Sequence, residues 1–331
     1  MKQEEHLQKN AAETTHIRIP IERVGEFHPL LKLMKSGHDA ASKARIESEE
    51  ALLKYRESQD KMTRLAAPQF GLKLEEITYG NINVLITTPE QRDTGSAILY
   101  CHGGGYNCGG LGYASVLSCK LARNTGRRVY AHEYRLSPEF PYPAAIEDTC
   151  SMWDALLDMG YTSDKLVVAG DSAGGNLALE LCVHLKEQKR ELPGLLVLMS
   201  PWTNMETGAP SYQKYRDLDP ILNIEYIEYS RSQYLQDACD YRNPHYSPLF
   251  ANLKGYPPTL IQAGAIEILR SDSERLARRL KAAGTEVEYK VFRNSCHVFQ
   301  QLPTLQASHA MADIGVFVNT HMPDESAMQS E

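Results

Sequence analysis

The segment Gly170-Asp171-Ser172-Ala173-Gly174 constrains this chain more than any other stretch of it. It follows a short apolar run at 166–169 and opens a stretch carrying Leu177, Leu181 and Leu185 at helical spacing. A serine between a strand and a helix, with glycine two residues to either side, fits a sharp and strained turn. Side chains at the flanking positions would fill the space that such a turn needs. The turn would hold Ser172 up as a nucleophile, and the first N–H groups of the helix would face any negative charge that develops beside it.

A strand–turn–helix unit implies more of its kind, and the chain supplies them. Short apolar runs recur at 82–86, 97–101, 129–131, 195–199 and 259–263, and 287–292 alternates as a late or edge strand does. Most of the central runs are continuous, so their strands should be covered on both faces. Helical patterns lie between them, at about 113–125, 144–159, 174–189, 272–284 and 304–319. Alternating strands and helices predict an α/β fold with a mostly parallel sheet and right-handed crossovers. Two stretches stand apart. Residues 1–70 are rich in Glu, Lys, Gln and Ala, and Leu30, Leu31, Met34, Ala51, Leu52 and Tyr55 recur at helical spacing. Residues 1–15 read as a tail. Between the strands at 195–199 and 259–263 lie some sixty residues with seven tyrosines, Tyr212 to Tyr246, too long for a structureless loop. The expected division is an N-terminal helical cap segment at 1–70 and a catalytic domain at 71–331 that carries a cap insertion at about 203–250.

Three further features complete a chemistry. His102-Gly103-Gly104-Gly105-Tyr106 follows the run at 97–101. Acyl transfer needs N–H donors where a carbonyl oxygen becomes an oxyanion, and a run of glycines lets the backbone approach that oxygen closely. The expected donors are Gly103, Gly104 and Ala173, with His102 structural. A serine hydroxyl needs an adjacent base, and His297 stands after the last strand run; His309 lies inside a helical pattern. The acid belongs between them, after the strand at 259–263, where Glu267 and Asp272 both qualify. Ser271-Asp272-Ser273-Glu274 reads as a capped helix start, which gives Asp272 a structural task and favours Glu267. Asp272 stays as the alternative acid.

Charge and cysteine usage exclude other classes. Lys+Arg of 35 against Asp+Glu of 42 leaves −7, with no basic run to meet nucleic-acid phosphates or an anionic bilayer. No apolar run reaches the roughly 18 residues of a membrane span. The seven cysteines are scattered without a C-x-x-C pair, and no cluster has metal-ligand spacing. A glycine-rich phosphate loop is excluded by the lack of G-K-[ST] or G-x-G-x-x-G. The first residues lack the apolar stretch of a signal peptide, so a cytoplasmic protein is expected.

Taken together, these motifs resemble the hormone-sensitive-lipase-like branch of the α/β-hydrolases. The matching residues are His102 to Tyr106, Tyr134-Arg135-Leu136-Ser137-Pro138-Glu139, Pro143-Ala144-Ala145 with Asp148, Gly170 to Asn176, and Asp219-Pro220-Ile221-Leu222. The resemblance covers about 74–320. It implies an eight-stranded, mostly parallel sheet flanked by helices, a helical cap, and cofactor-free esterase activity on short- to medium-chain acyl esters. It also implies the order Ser172, acid, His297. The family's usual D-P-L acid segment is replaced here by Glu267-Ile268-Leu269. A deacetylase or amidase on a specific small molecule would share every one of these residues. A ligand-binding protein on a hydrolase scaffold is the reading from another class. The expected partner is a small-molecule ester, without nucleic acid or metal, and a homodimer is compatible with the sequence.

Overall fold

A computed structural model of the protein describes residues 29–90 and 94–323; the tail reading at 1–15 and the first part of the cap segment lie outside them. Two helices come first, α1 (Pro29–Glu47) and α2 (Glu49–Ala66), the second capped by Ser48, whose side chain accepts from the Ala51 N–H. The sheet then builds from β1 (Lys73–Tyr79), β2 (Ile82–Thr88), β3 (Ala97–Cys101), β4 (Arg128–His132), β5 (Leu166–Asp171), β6 (Leu195–Met199), β7 (Thr259–Gly264) and β8 (Val287–Phe292). Between and after these strands run α3 (Leu111–Thr125), α4 (Ala144–Asp158), α5 (Ala173–Glu187), α6 (Pro210–Lys214), α7 (Ile224–Leu235), α8 (Arg270–Ala282) and α9 (Leu305–His321).

The eight strands form one sheet in the order β1-β2-β4-β3-β5-β6-β7-β8. β1 and β2 pair antiparallel, β2 meets β4 antiparallel, and the remaining pairs are parallel. The continuous apolar runs have the reason expected of them: Ala97, Leu99 and Cys101 face one core with residues of α4, α5 and α8, while Ile98 and Tyr100 face a second with residues of α3 and α9. β1 carries no such run. Its Lys73, Glu75 and Glu76 sit on an exposed antiparallel edge, which is why apolar patterning alone leaves it unmarked.

Register sets where chemistry can happen. Cys101 pairs with Gly170, Asp171 with Met199, and Gly264 with Phe292, so the carboxyl ends of β3, β5, β6, β7 and β8 finish along one edge. The loops leaving those ends carry His102, Ser172, Ser200, Glu267 and His297. The insertion holds α6 and α7, and α7 has Asn223 as its cap. Tyr212, Tyr215, Tyr226, Tyr234 and Tyr246 are all buried beneath it. α1 and α2 lie against α7 and α3. Arg56 of α2 grips the carbonyls of Asn107 and Ser137, each at 2.7 Å, as well as the Glu139 carboxylate.

Candidate active site

The turn between β5 and α5 is as tight as its glycines imply. Ser172 adopts φ 53° and ψ −119°, a conformation that non-glycine residues rarely hold. A Cβ on Gly170 would collide with the Gly174 carbonyl, and one on Gly174 with the Cys101 carbonyl. The Ser172 N–H is tied to Met199 O at 3.0 Å, and its own carbonyl accepts from Trp202 N at 2.9 Å. β6 and the loop that follows it therefore hold the strained residue in place on both of its polar backbone groups.

His297 reaches this serine from the loop after β8. Its Nε2 lies 2.9 Å from Ser172 Oγ, within hydrogen-bond range, and its Nδ1 lies 3.4 Å from Glu267 Oε2. The second distance is that of an ion pair, and Nδ1 makes no hydrogen bond of good geometry here. Glu267 is fully buried on the loop between β7 and α8. Its Oε2 accepts from Ser200 Oγ at 2.8 Å, and Ser200 Oγ accepts from Val298 N at 3.2 Å. One hydroxyl thus links the acid loop to the histidine loop. Ser200 carries no motif signal beyond standing at the carboxyl end of β6, and it escapes a reading of the sequence.

Asp272 is placed elsewhere. It is buried in the first turn of α8, where the Thr203 and Asn204 N–H groups and Tyr212 Oη, at 3.5 Å, approach it. Burial drives its carboxyl well above the usual carboxylate range. The helix start differs from the capping box expected at Ser271: α8 begins at Arg270 behind an uncapped Leu269, and Ser271 Oγ instead accepts from Ser211 N at 3.0 Å. The insertion supplies that partner, and a local pattern cannot foresee it.

The glycine loop also departs from expectation at one residue. The Gly103 N–H is already committed to Asp171 Oδ1 at 2.9 Å, so Gly103 has no amide free for an oxyanion. Asp171 is held in turn by Tyr100 Oη at 2.6 Å and Tyr113 Oη at 2.8 Å. The Gly104 and Gly105 N–H groups donate to nothing among the described residues, and neither does the Ala173 N–H at the start of α5. Gly104 has φ +116° and Gly105 φ +64°, conformations that favour glycine. His102 is structural, as expected: its Nδ1 lies 2.7 Å from Gly103 O and its ring stacks on Tyr134 at 4.2 Å. Burial lowers its pKa to about 4, so the ring stays neutral at ordinary pH. His309 is exposed on α9. Among the described residues no cluster of three His, Cys, Asp or Glu side chains is arranged for a metal ion, and no helix is long and apolar enough to cross a membrane.

A family described by the α/β-hydrolase fold matches residues 98–301. An esterase of Acinetobacter venetianus is 36% identical over 225 residues, 67% of this chain and 74% of that protein. An acetyl-hydrolase of Streptomyces hygroscopicus is 31% identical over 276 residues, 83% of this chain and 90% of its own. The hormone-sensitive-lipase homologue EstE7 from a metagenome library superposes with a TM-score of 0.79 at 29% identity, over 88% of this chain and 97% of that one. The chain belongs to the hormone-sensitive-lipase-like esterases of the α/β-hydrolase fold. It is a carboxylic ester hydrolase. Its sheet order, with one antiparallel edge and a parallel centre, is the scaffold on which these esterases carry their loops.

Proposed function

We propose that the protein is a serine carboxylesterase that cleaves short- to medium-chain acyl esters through a covalent acyl-enzyme. The observation that carries this reading is the 2.9 Å approach of His297 Nε2 to Ser172 Oγ on a strained turn. Ser172 Oγ attacks the ester carbonyl while His297 takes its proton. His297 then delivers that proton to the leaving alkoxide. Glu267 orients the ring and stabilises the imidazolium through Nδ1; contacts of this kind are often loose without substrate and tighten once it binds. The amides of Gly104, Gly105 and Ala173 hold the oxyanion. Gly105 takes the place first expected for Gly103, whose amide is committed to Asp171. Water repeats the sequence on the acyl-enzyme and frees the acid.

The N-terminal helices and the insertion act together as a cap over the carboxyl edge. Three contacts support this. Lys35 Nζ donates to Asp219 O at 3.3 Å, Asn223 Nδ2 donates to Asp39 Oδ1 at 3.0 Å, and Tyr226 Oη donates to Asn107 Oδ1 at 2.8 Å, joining α1, the insertion and the glycine loop. The acetyl-hydrolase among the relatives favours the short end of the acyl range. A structure of the relative EstE5 was obtained after soaking with p-nitrophenyl butyrate, which makes that ester a suitable probe.

The deciding experiment is a p-nitrophenyl ester series from acetate to octanoate with wild type and Ser172→Ala, alongside labelling by a serine-directed phosphonate. The expected outcome is hydrolysis strongest for the shorter chains, labelling at Ser172, and loss of both in the variant. A fully active Ser172→Ala would sink the nucleophile assignment, and a preference for octanoate would sink the chain-length reading.

A further inference from the structure

The insertion sends one fully buried carboxylate, Asp219, into the neighbourhood of the acid and the base. It lies between α6 and α7. Its Oδ1 accepts from Ile221 N at 2.9 Å and Leu222 N at 3.1 Å, closing a turn of the insertion. Its Oδ2 accepts from Ile268 N at 2.9 Å, and Ile268 is the residue directly after Glu267. The insertion holds the other side of Ile268 as well. Ser211 Oγ donates to the Ile268 carbonyl and accepts from Ser271 N at 2.9 Å. The loop that carries Glu267 is therefore gripped on both polar backbone groups of its next residue by a part of the chain more than forty positions away. Three N–H donors arriving from two segments need both oxygens of a carboxylate; an amide side chain offers only one acceptor atom.

We propose that Asp219 is a positioning residue for the Glu267–His297 pair, so that the acid is set for catalysis only while the insertion is docked on its loop. The proposal rests on the Ser172–His297–Glu267 reading. A displaced acid loop would carry Glu267 away from Nδ1, and an anion lost from beside His297 would leave its imidazolium less stabilised. The groups that face Asp219 can be named. Cys296 and His297 lie near it from the loop after β8, and Lys35 of α1, paired with Asp39, reaches its backbone carbonyl. Burial pushes the Asp219 carboxyl up to about 6, although His297 and the three N–H groups favour its anion. It is therefore ionised at neutral pH and above.

The test compares wild type, Asp219→Asn, Glu267→Gln and the double variant on p-nitrophenyl butyrate from pH 5 to 9. Active sites are counted by phosphonate titration, so that unfolded molecules drop out of kcat. Asp219→Asn is expected to lower kcat by about 10- to 100-fold, the scale of a misplaced catalytic group. Its KM should stay within about threefold, and the acid limb of kcat/KM should move to lower pH because an anion beside the base is gone. In the Glu267→Gln background the kcat loss should shrink to less than about threefold, because a residue acting through Glu267 has nothing left to position. A kcat within about twofold of wild type with an unmoved acid limb would overturn the proposal, as would a full loss that persists without Glu267. A Glu267→Gln enzyme as active as wild type would overturn the acid assignment and this proposal together. A dead Glu267→Gln beside an unaffected Asp219→Asn would overturn the proposal alone. Should Asp219→Asn fail to fold, Ser211→Ala frees the Ile268 carbonyl and carries the same test: a kcat loss that vanishes without Glu267 supports the proposal, and no loss, or one that persists, overturns it.

Discussion

Each residue of the site does one thing, and its neighbours decide which. Glu267 and Asp272 are both buried carboxyls, one just before α8 and one in its first turn, yet of the two it is Glu267 that lies 3.4 Å from His297 Nδ1. Asp272 is approached by N–H groups and a tyrosine hydroxyl of the insertion, and burial drives its carboxyl well above the usual range. Glu267→Gln is therefore expected to lower kcat by about 10²- to 10⁴-fold, since a neutral amide cannot stabilise an imidazolium and favours the wrong tautomer. Asp272→Asn, at a side chain that meets neither Ser172 nor His297, should keep kcat within about threefold. Steady-state kinetics of the two variants at pH 8 decide it, and an inactive Asp272→Asn beside an active Glu267→Gln would reverse the assignment. Asp171→Asn is expected to act on the oxyanion side. Asp171 accepts Gly103 N and two tyrosine hydroxyls, and an amide cannot accept all three. The loop carrying Gly104 and Gly105 then loosens, and kcat should fall by about tenfold or more with KM little changed. A drop in KM-controlled binding with kcat intact would speak against that role.

At the scale of elements, α2 matters through one side chain. Arg56 joins α2 to the Asn107 and Ser137 carbonyls and to Glu139, so it links the N-terminal helices to the loop that follows Gly103, Gly104 and Gly105. Charge-assisted bonds to buried carbonyls contribute more than an exposed ion pair. Arg56→Ala should therefore lower Tm by several degrees and reduce kcat/KM. Glu139→Gln, which changes the more exposed partner and keeps an oxygen to accept from the guanidinium, should leave both near wild type. Differential scanning calorimetry and p-nitrophenyl butyrate kinetics on the pair check this. Equal effects would mean that the ion pair, rather than the carbonyl contacts, does the joining.

Across the whole molecule, the cost of burying acids shows as a dependence of stability on pH. Glu180 lies in α5 against the stacked rings of Tyr106 and Tyr234, which are 3.7 Å apart, and among the described residues its polar partners are their hydroxyls. Burial holds its carboxyl well above the usual range. A raised folded-state pKa gives stability that is fully present below the ordinary carboxyl pKa and is lost as pH rises through the folded value. Glu180→Gln removes that titration while keeping shape and hydrogen-bonding capacity. Its Tm relative to wild type should climb between pH 5 and pH 9, and parallel Tm curves for the two proteins would refute it.

The sequence by itself determined the fold and the family, because both are written in local signals. Continuous apolar runs mark strands covered on two faces, and Gly170 and Gly174 mark a turn with no room for side chains. His297 is the first histidine after the last strand. These depend on residues near one another along the chain, where period and sterics leave a trace. The exposed edge strand β1 left none, because no buried face selects its side chains. Tertiary structure alone decided the rest. The Gly103 amide is taken by a carboxylate 68 residues away, Ser271 is turned from a cap into a partner of Ser211, and Ser200 reaches Glu267 from a loop without a motif. A hydrogen bond between distant segments requires only that a donor meet an acceptor. Many residue types meet that demand, and nothing in the spacing of either segment records it.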